Sequence, residues 1–174
     1  MSEQHYSPGH ADPTPSRPGV PASYGISAQI GDVEQFPWSW ADEQLAQARN
    51  YWICTTRPDG RPHAMPVWGL WLDGAFYFAT DPRSQKGRNL AASPQIVVHL
   101  ESGDNVVILE GVVEQVTDTS FFARFVDAYD AKYHFRPDPG SPENPIFCLR
   151  PSAAFTWQES SFVESARRWR FDGD

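Results

Sequence analysis

The chain has 174 residues, a length suited to one domain, with 22 acidic against 14 basic side chains and a formal charge of −8. That balance excludes unaided nucleic-acid binding, which needs clustered Lys and Arg; only Arg167, Arg168 and Arg170 cluster here. No apolar run approaches the roughly 20 residues that span a bilayer. Met1–His5 lacks the charged-then-apolar layout of a secretory signal, so a cytoplasmic protein without a membrane partner is expected.

Residues 1–36 alternate Pro and Gly (Pro8, Pro13, Pro15, Pro18, Pro21; Gly9, Gly19, Gly25, Gly31) and almost lack aliphatic side chains. Such a segment cannot bury enough apolar area to offset its ordering entropy, so a disordered tail is expected over 1–36 and one domain over 37–174. Ser39 reads as the cap of a short helix with Leu45 and Ala48 on its inner face. Tyr51–Thr56 is a strand, Pro58-Asp59-Gly60 a turn, and His63–Leu72 a second strand with Pro66 arguing for an edge or bulge. Asp73-Gly74 is a hairpin signal, and Ala75–Thr80 the third strand.

Ser84 reads as the cap of a second short helix, which Pro94 ends. Strands follow at Ile96–Leu100 and Val106–Val116, where the mid-strand Gly111 suggests a bulge. Thr117 or Asp118 begins a helix whose aromatic stripe, Phe121, Phe122, Phe125, Tyr129 and Tyr133, packs on the sheet. A Pro-rich loop over 136–145 precedes strands at Ile146–Leu149, Ala153–Trp157 and Arg168–Phe171. Six or seven mostly antiparallel strands with two or three short helices predict an α+β fold built on a closed or partly closed barrel.

Cys54 and Cys148 sit in apolar strand-like runs and read as reduced core thiols. The five histidines show no ligand spacing, and no structural zinc site is expected. No catalytic triad, paired carboxylates, Rossmann glycines or P-loop can be built. The distinctive segment is Tyr77-Phe78-Ala79-Thr80 followed by Asp81-Pro82-Arg83-Ser84-Gln85-Lys86. A strand-end hydroxyl, a helix-capping Ser and a Lys inside the first turn can hold a phosphate, or can be an ordinary capped helix with solvated charges.

Thr55-Thr56-Arg57-Pro58-Asp59-Gly60-Arg61-Pro62-His63, Pro66-Val67-Trp68, and Tyr77-Phe78-Ala79-Thr80 with Ser84-Gln85-Lys86-Gly87-Arg88-Asn89-Leu90 resemble the pyridoxamine-phosphate-oxidase-like split-barrel flavoproteins. Within that group the chain looks most like the actinobacterial flavin/deazaflavin oxidoreductases, B group, from about Trp38 to Phe171. The resemblance implies a six-stranded antiparallel split barrel, usually a homodimer with the cofactor at the subunit interface. It implies that Met65, Pro66, Val67 and Trp68 lie along the flavin or deazaflavin ring, with Trp68 walling the pocket or packing in the core or interface. Ala79, Thr80, Ser84 and Lys86 would hold the ribityl chain and phosphate, while Arg88 and Asn89 would serve cofactor, helix or dimer.

Pyridoxamine phosphate oxidases proper carry an Arg at the position matching Met65, where it helps bind the flavin phosphate. A thioether cannot make that contact. The resemblance therefore points away from vitamin salvage and toward coenzyme F420, with FMN as the alternative cofactor. The phosphate of F420 continues into a lactyl-oligoglutamate tail, which favours basic residues at the groove mouth such as Arg83, Lys86 and Arg88. The expected activity is hydride transfer between reduced F420 and a small organic substrate. A non-catalytic flavin- or haem-binding protein, with His99 as a haem ligand, is the contrasting possibility. No proton donor is assigned, although His63, Tyr129 and Tyr133 are the available groups.

Overall fold

The computed structural model describes residues 12–25 and 36–171. In chain order these form strand β1 (Thr14–Ser16), helix α1 (Trp38–Gln47), β2 (Tyr51–Thr56), β3 (Pro62–Val67), β4 (Leu70–Leu72) and β5 (Ala75–Ala79). Then come α2 (Gln85–Ala92), β6 (Gln95–His99), β7 (Asn105–Gln115), α3 (Ser120–Tyr133), β8 (Ile146–Gln158), α4 (Phe162–Ser165) and β9 (Arg167–Arg170). No helix among the described residues is long and apolar enough to cross a membrane.

All pairings are antiparallel, in the order β1-β9-β8-β7-β6-β2-β3, with β5 joining β8 to β4. The α+β class and antiparallel sheet agree with expectation, but the count does not. Among the described residues nine strands form a sheet that is not closed, and four α-helices accompany it, against six or seven strands and two or three helices expected. β8 organises the arrangement. One of its edges pairs with β7 throughout; the other serves β5 through Ile146–Leu149 and β9 through Ala153–Thr156. Its two halves read as separate strands in the sequence because Pro151 interrupts them. The register shifts there, between Glu110 and Gly111 of β7, so the missing N–H of Pro151 falls at a bulge.

The expected tail is not uniform either. Thr14–Ser16 pairs with Arg168–Arg170, Ser16 Oγ donates to the Arg168 carbonyl at 3.1 Å, and Arg17 donates to the Val163 carbonyl at 2.9 Å. These contacts need backbone and hydroxyl groups rather than apolar area, so composition did not foretell them. Residues 1–11 and 26–35 lie outside the described residues.

Alternation builds the main core. Tyr51, Ile53 and Thr55 of β2 point inward, as do Val98, Val107 and Leu109. Trp38 at the start of α1 plugs one end, edge-on to Trp71, Trp169 and Phe171 at 5.1–6.5 Å. Ser39 is not the cap of α1; Pro37 occupies that position. A second cluster lies under α3, whose Phe125, Tyr129 and Tyr133 meet Leu70, Tyr77 and Ile146. β5 is therefore covered on both faces, which is why Ala75-Phe76-Tyr77-Phe78 shows no polar alternation. Both cysteines are free, Cys148 buried and Cys54 half-buried, and burial pushes both thiols up.

Candidate functional site

The turn after β5 gathers the polar chemistry. Asp81 accepts from the Arg83 amide at 2.7 Å, and Ser84 Oγ caps α2 by accepting from the Gly87 amide at 3.0 Å. Thr80, only 3 % exposed, places Oγ1 at 3.0 Å from Ser84 Oγ. Gly87 permits this fold-back, since a Cβ there would collide with the carbonyl oxygen of Asp81 and the backbone of Pro82. Ala79, half-buried, precedes Thr80 at the end of β5.

Lys86 sits half-buried in the first turn of α2 and has no ion pair among the described residues. Burial lowers its ammonium below the ordinary lysine value. The neighbouring guanidinium groups are engaged. Arg83 pairs with Asp81 at 2.9 Å and Glu143 at 3.5 Å. Arg88, exposed, donates to the Arg83 carbonyl and, at 3.0 Å, to Gln85 Oε1. Asn89 is fully buried beneath the site rather than on its surface. Its Nδ2 donates to Thr55 Oγ1 at 2.8 Å, and its Oδ1 accepts from Gln85 at 2.8 Å, bolting α2 to β2.

His63, which the sequence offered only as an available proton donor, feels the charges of Lys86 and Arg57. His63, on β3, has Nδ1 at 3.3 Å from Thr55 Oγ1. Its imidazole is lowered below the ordinary 6.5, first by burial and then by the charges of Arg57 and Lys86. Arg57, in the β2–β3 turn, likewise has no ion pair among the described residues. The signal was present in sequence as Arg57 and His63 flanking one turn. The packing of α2 on β2, through Asn89 and Thr55, brings Lys86 within electrostatic reach of His63.

His63 also connects to the second part of the site, because it lies two residues before Met65 on the same strand. Met65 is 45 % exposed, Pro66 exposed, Val67 half-buried and Trp68 41 % exposed, apolar residues at the end of the sheet's last strand and just beyond it. Trp68 is held from behind, stacked 4.7 Å from Tyr133 at an interplanar angle of 10°, with the Arg49 guanidinium 5.7 Å from its ring. The Tyr133 hydroxyl lies 2.8 Å from the Gly69 carbonyl and accepts from the Gly69 amide at 3.0 Å. Lys132 donates to Tyr51 Oη at 2.8 Å and to the Gly69 carbonyl at 3.2 Å. Tyr133 is thus committed to the backbone, and burial pushes Tyr129 up to about 12. His99 stacks on Trp52 at 6.3 Å, with Nδ1 at 2.8 Å from the Leu100 carbonyl.

Two cavities lie elsewhere. One of about 450 Å³ runs along α1, and one of about 220 Å³ lies between Tyr77, Glu114, Cys148 and Arg150. Neither includes the motif residues.

An antiparallel split sheet, with a hydroxyl-and-lysine turn beside an exposed aromatic strand edge, defines the class. The family model described as pyridoxamine 5'-phosphate oxidase matches residues 40–158. The chain belongs to that family of flavin-binding oxidoreductases. A pyridoxine/pyridoxamine 5'-phosphate oxidase of Ralstonia pickettii is 33 % identical over 64 % of this chain and 54 % of its own. The chain thus spans about half the length of that relative. A second so named, from Gluconobacter oxydans, is 26 % identical over 70 % of this chain and 78 % of its own. Among solved structures, an F420 reductase aligns with TM-score 0.52 at 24 % identity, covering 64 % of this chain and 94 % of the other. A conserved hypothetical protein of Mycobacterium tuberculosis aligns with TM-score 0.63 at 22 % identity, covering 76 % and 89 %. These structural likenesses concern the fold.

Proposed function

We propose that the protein is an F420-dependent reductase acting on a small organic substrate, with FMN as the alternative cofactor. The observation that carries this reading is Lys86, a half-buried ammonium without an ion pair among the described residues, in the turn that holds the Thr80 and Ser84 hydroxyls. An uncompensated, partly desolvated cation is costly unless an anion completes it. The residues present fit a phosphate-bearing flavin analogue, whose ring supplies hydride chemistry that side chains cannot. Lys86, Ser84 and Thr80 would hold the phosphate and the polar chain attached to it. Met65 to Trp68 would form the apolar floor that orients the ring and excludes water from one face. Met65, in place of an arginine, favours F420 over FMN.

The reading includes two copies of the chain. One row, exposed at Pro66 and half-buried at Trp52, His99, Ile108, Phe155 and Arg168, crosses six strands and offers a face, apolar but for His99 and Arg168, that a second copy would cover. Cofactor-bound protein that sediments as a monomer at micromolar concentration removes this part.

Titration with F420 and with FMN, followed by absorbance and fluorescence, tests the rest. Lys86→Ala should weaken binding about 10- to 150-fold, the worth of one charge-assisted contact, with little change in apo stability. Unchanged affinity for both cofactors refutes the phosphate assignment. A Soret band on haem addition, with neither flavin bound, would favour the non-catalytic haem-binding alternative.

A further inference from the structure

We propose that Arg49 and Lys132, gathered around the Tyr133 ring beside Trp68, seat a carboxylate of the substrate. This deepens the proposed function and rests on it. Three parts of the chain deliver the groups: Arg49 from the α1–β2 connection, Trp68 from the break between β3 and β4, and Lys132 with Tyr133 from the last turn of α3. The Arg49 guanidinium lies 5.6 Å from the centroid of the Tyr133 ring and 5.7 Å from that of Trp68. Lys132 Nζ lies 5.4 Å from the same Tyr133 ring. The Tyr133 hydroxyl is 2.7 Å from the Arg49 carbonyl, so this tyrosine also fixes the backbone from which Arg49 projects.

Neither cation has an ion pair among the described residues. Asp130, two positions before Lys132, pairs with Arg136 at 3.0 Å, and Glu101 accepts from Asn50, the neighbour of Arg49, at 3.3 Å. Lys132 uses two donors, on Tyr51 Oη and the Gly69 carbonyl, and an ammonium has three. Two like charges on one ring oppose each other, and burial of Lys132 adds to the cost. A carboxylate offsets both, one oxygen taking the remaining N–H of Lys132 and the other the guanidinium fork. Arg49 is exposed and Trp68 is partly so, which leaves the pair within reach of a ligand.

The pair stands at the opposite end of β3 from Lys86. Asn89 of α2 donates to Thr55, which pairs with His63, whereas Tyr51, the partner of Lys132, pairs with Val67. His63 and Val67 are four positions apart, about 13 Å of strand. A cofactor with its phosphate at Lys86 and its ring along Met65 to Trp68 would therefore leave Arg49 and Lys132 facing the far end of the ring. There they would anchor an acidic substrate while its reducible group lies against the ring.

Titration of the full chain with benzoate, benzamide and inorganic phosphate tests the seat, both without cofactor and loaded with F420. The NMR signals of the Trp68 indole and the Lys132 ammonium report binding. Benzoate should shift both signals in both forms, and bind about tenfold or more tighter than benzamide, which has the same ring without the charge. Arg49→Gln should bring benzoate down to the level of benzamide, and Arg49→Lys should retain part of the preference. Equal affinity for benzoate and benzamide, a preference that survives Arg49→Gln, or phosphate binding tighter than benzoate overturns the inference. Displacement of benzoate by F420 also overturns it, since the pair would then serve the cofactor's own carboxylates. If Lys86→Ala weakens F420 binding while benzoate shows no preference, the seat fails and the proposed function stands. If benzoate is preferred but neither F420 nor FMN binds, the reductase reading fails and the substrate role of the seat falls with it.

Discussion

At the scale of single residues the informative groups are buried polar ones. Lys132, half-buried in the last turn of α3, is the sharpest case. It reaches Tyr51 Oη and the Gly69 carbonyl, lying 4.8 Å from the Tyr51 ring centroid. Burial, and then the Arg49 charge, lower it from 10.5 to about 8. The folded state therefore releases its proton before the unfolded chain does. As pH rises from about 8 towards 10.5 the unfolded state holds more protons, so stability grows in that window, and the cost of burying the charge is fully present below it. Urea midpoints of wild type and Lys132→Met, compared near pH 7 and near pH 9.5, should show the difference moving in favour of the wild type at the higher pH. A constant difference shows that the ammonium is solvated. Asn89 teaches the same point. The resemblance left it to serve cofactor, helix or dimer; its partner Thr55 lies 34 positions earlier, and no local pattern encodes that pairing.

At the scale of elements, legibility followed the range of the forces involved. The Ser84 cap, the Asp73-Gly74 hairpin with φ of 51° and 73°, and the bulge at Gly111 rest on local chemistry, and all were readable. The strand expected over His63–Leu72 was not, because it breaks at Trp68–Gly69 into β3 and β4. A Cβ on Gly69 would lie 2.5 Å from the Phe76 ring and 2.8 Å from the Tyr77 carbonyl. Tyr133, 64 positions later, takes the Gly69 amide and carbonyl out of the ladder. The break frees Trp68 from strand pairing and lets it stack on Tyr133 of α3. The resemblance left Trp68 as a pocket wall or as a core or interface residue; the contacts that hold it are tertiary.

At the scale of the whole molecule, the fold class was legible because period-two strands and turn chemistry recur through the domain. β1 was illegible because a short polar strand leaves no periodic signal. It has a measurable role. β9 would otherwise be an open edge, and β1 occupies its unpaired backbone groups. Removing residues 1–17 should lower stability by about 1–3 kcal/mol, the net worth of a few hydrogen bonds, and Tm by about 2–4 °C for each kcal/mol. The bared edge should also raise self-association on warming, seen by light scattering. Unchanged Tm and scattering would show that β1 does not hold the edge in solution.

The position of β8 in the chain sets the order in which the protein can assemble. β4–β5 and β7 precede it by tens of residues, yet each finds in β8 the strand that ties it to the rest of the sheet. While the chain is being synthesised, a nascent protein ending before Ile146 holds two β fragments without their shared spine, and their edges are open to other chains. Refolding from denaturant faces the same long-range closure. It should be slow, on the millisecond-to-second scale of sheet proteins rich in distant contacts, and its rate should respond to changes in β8 more than to changes in α1 or α3.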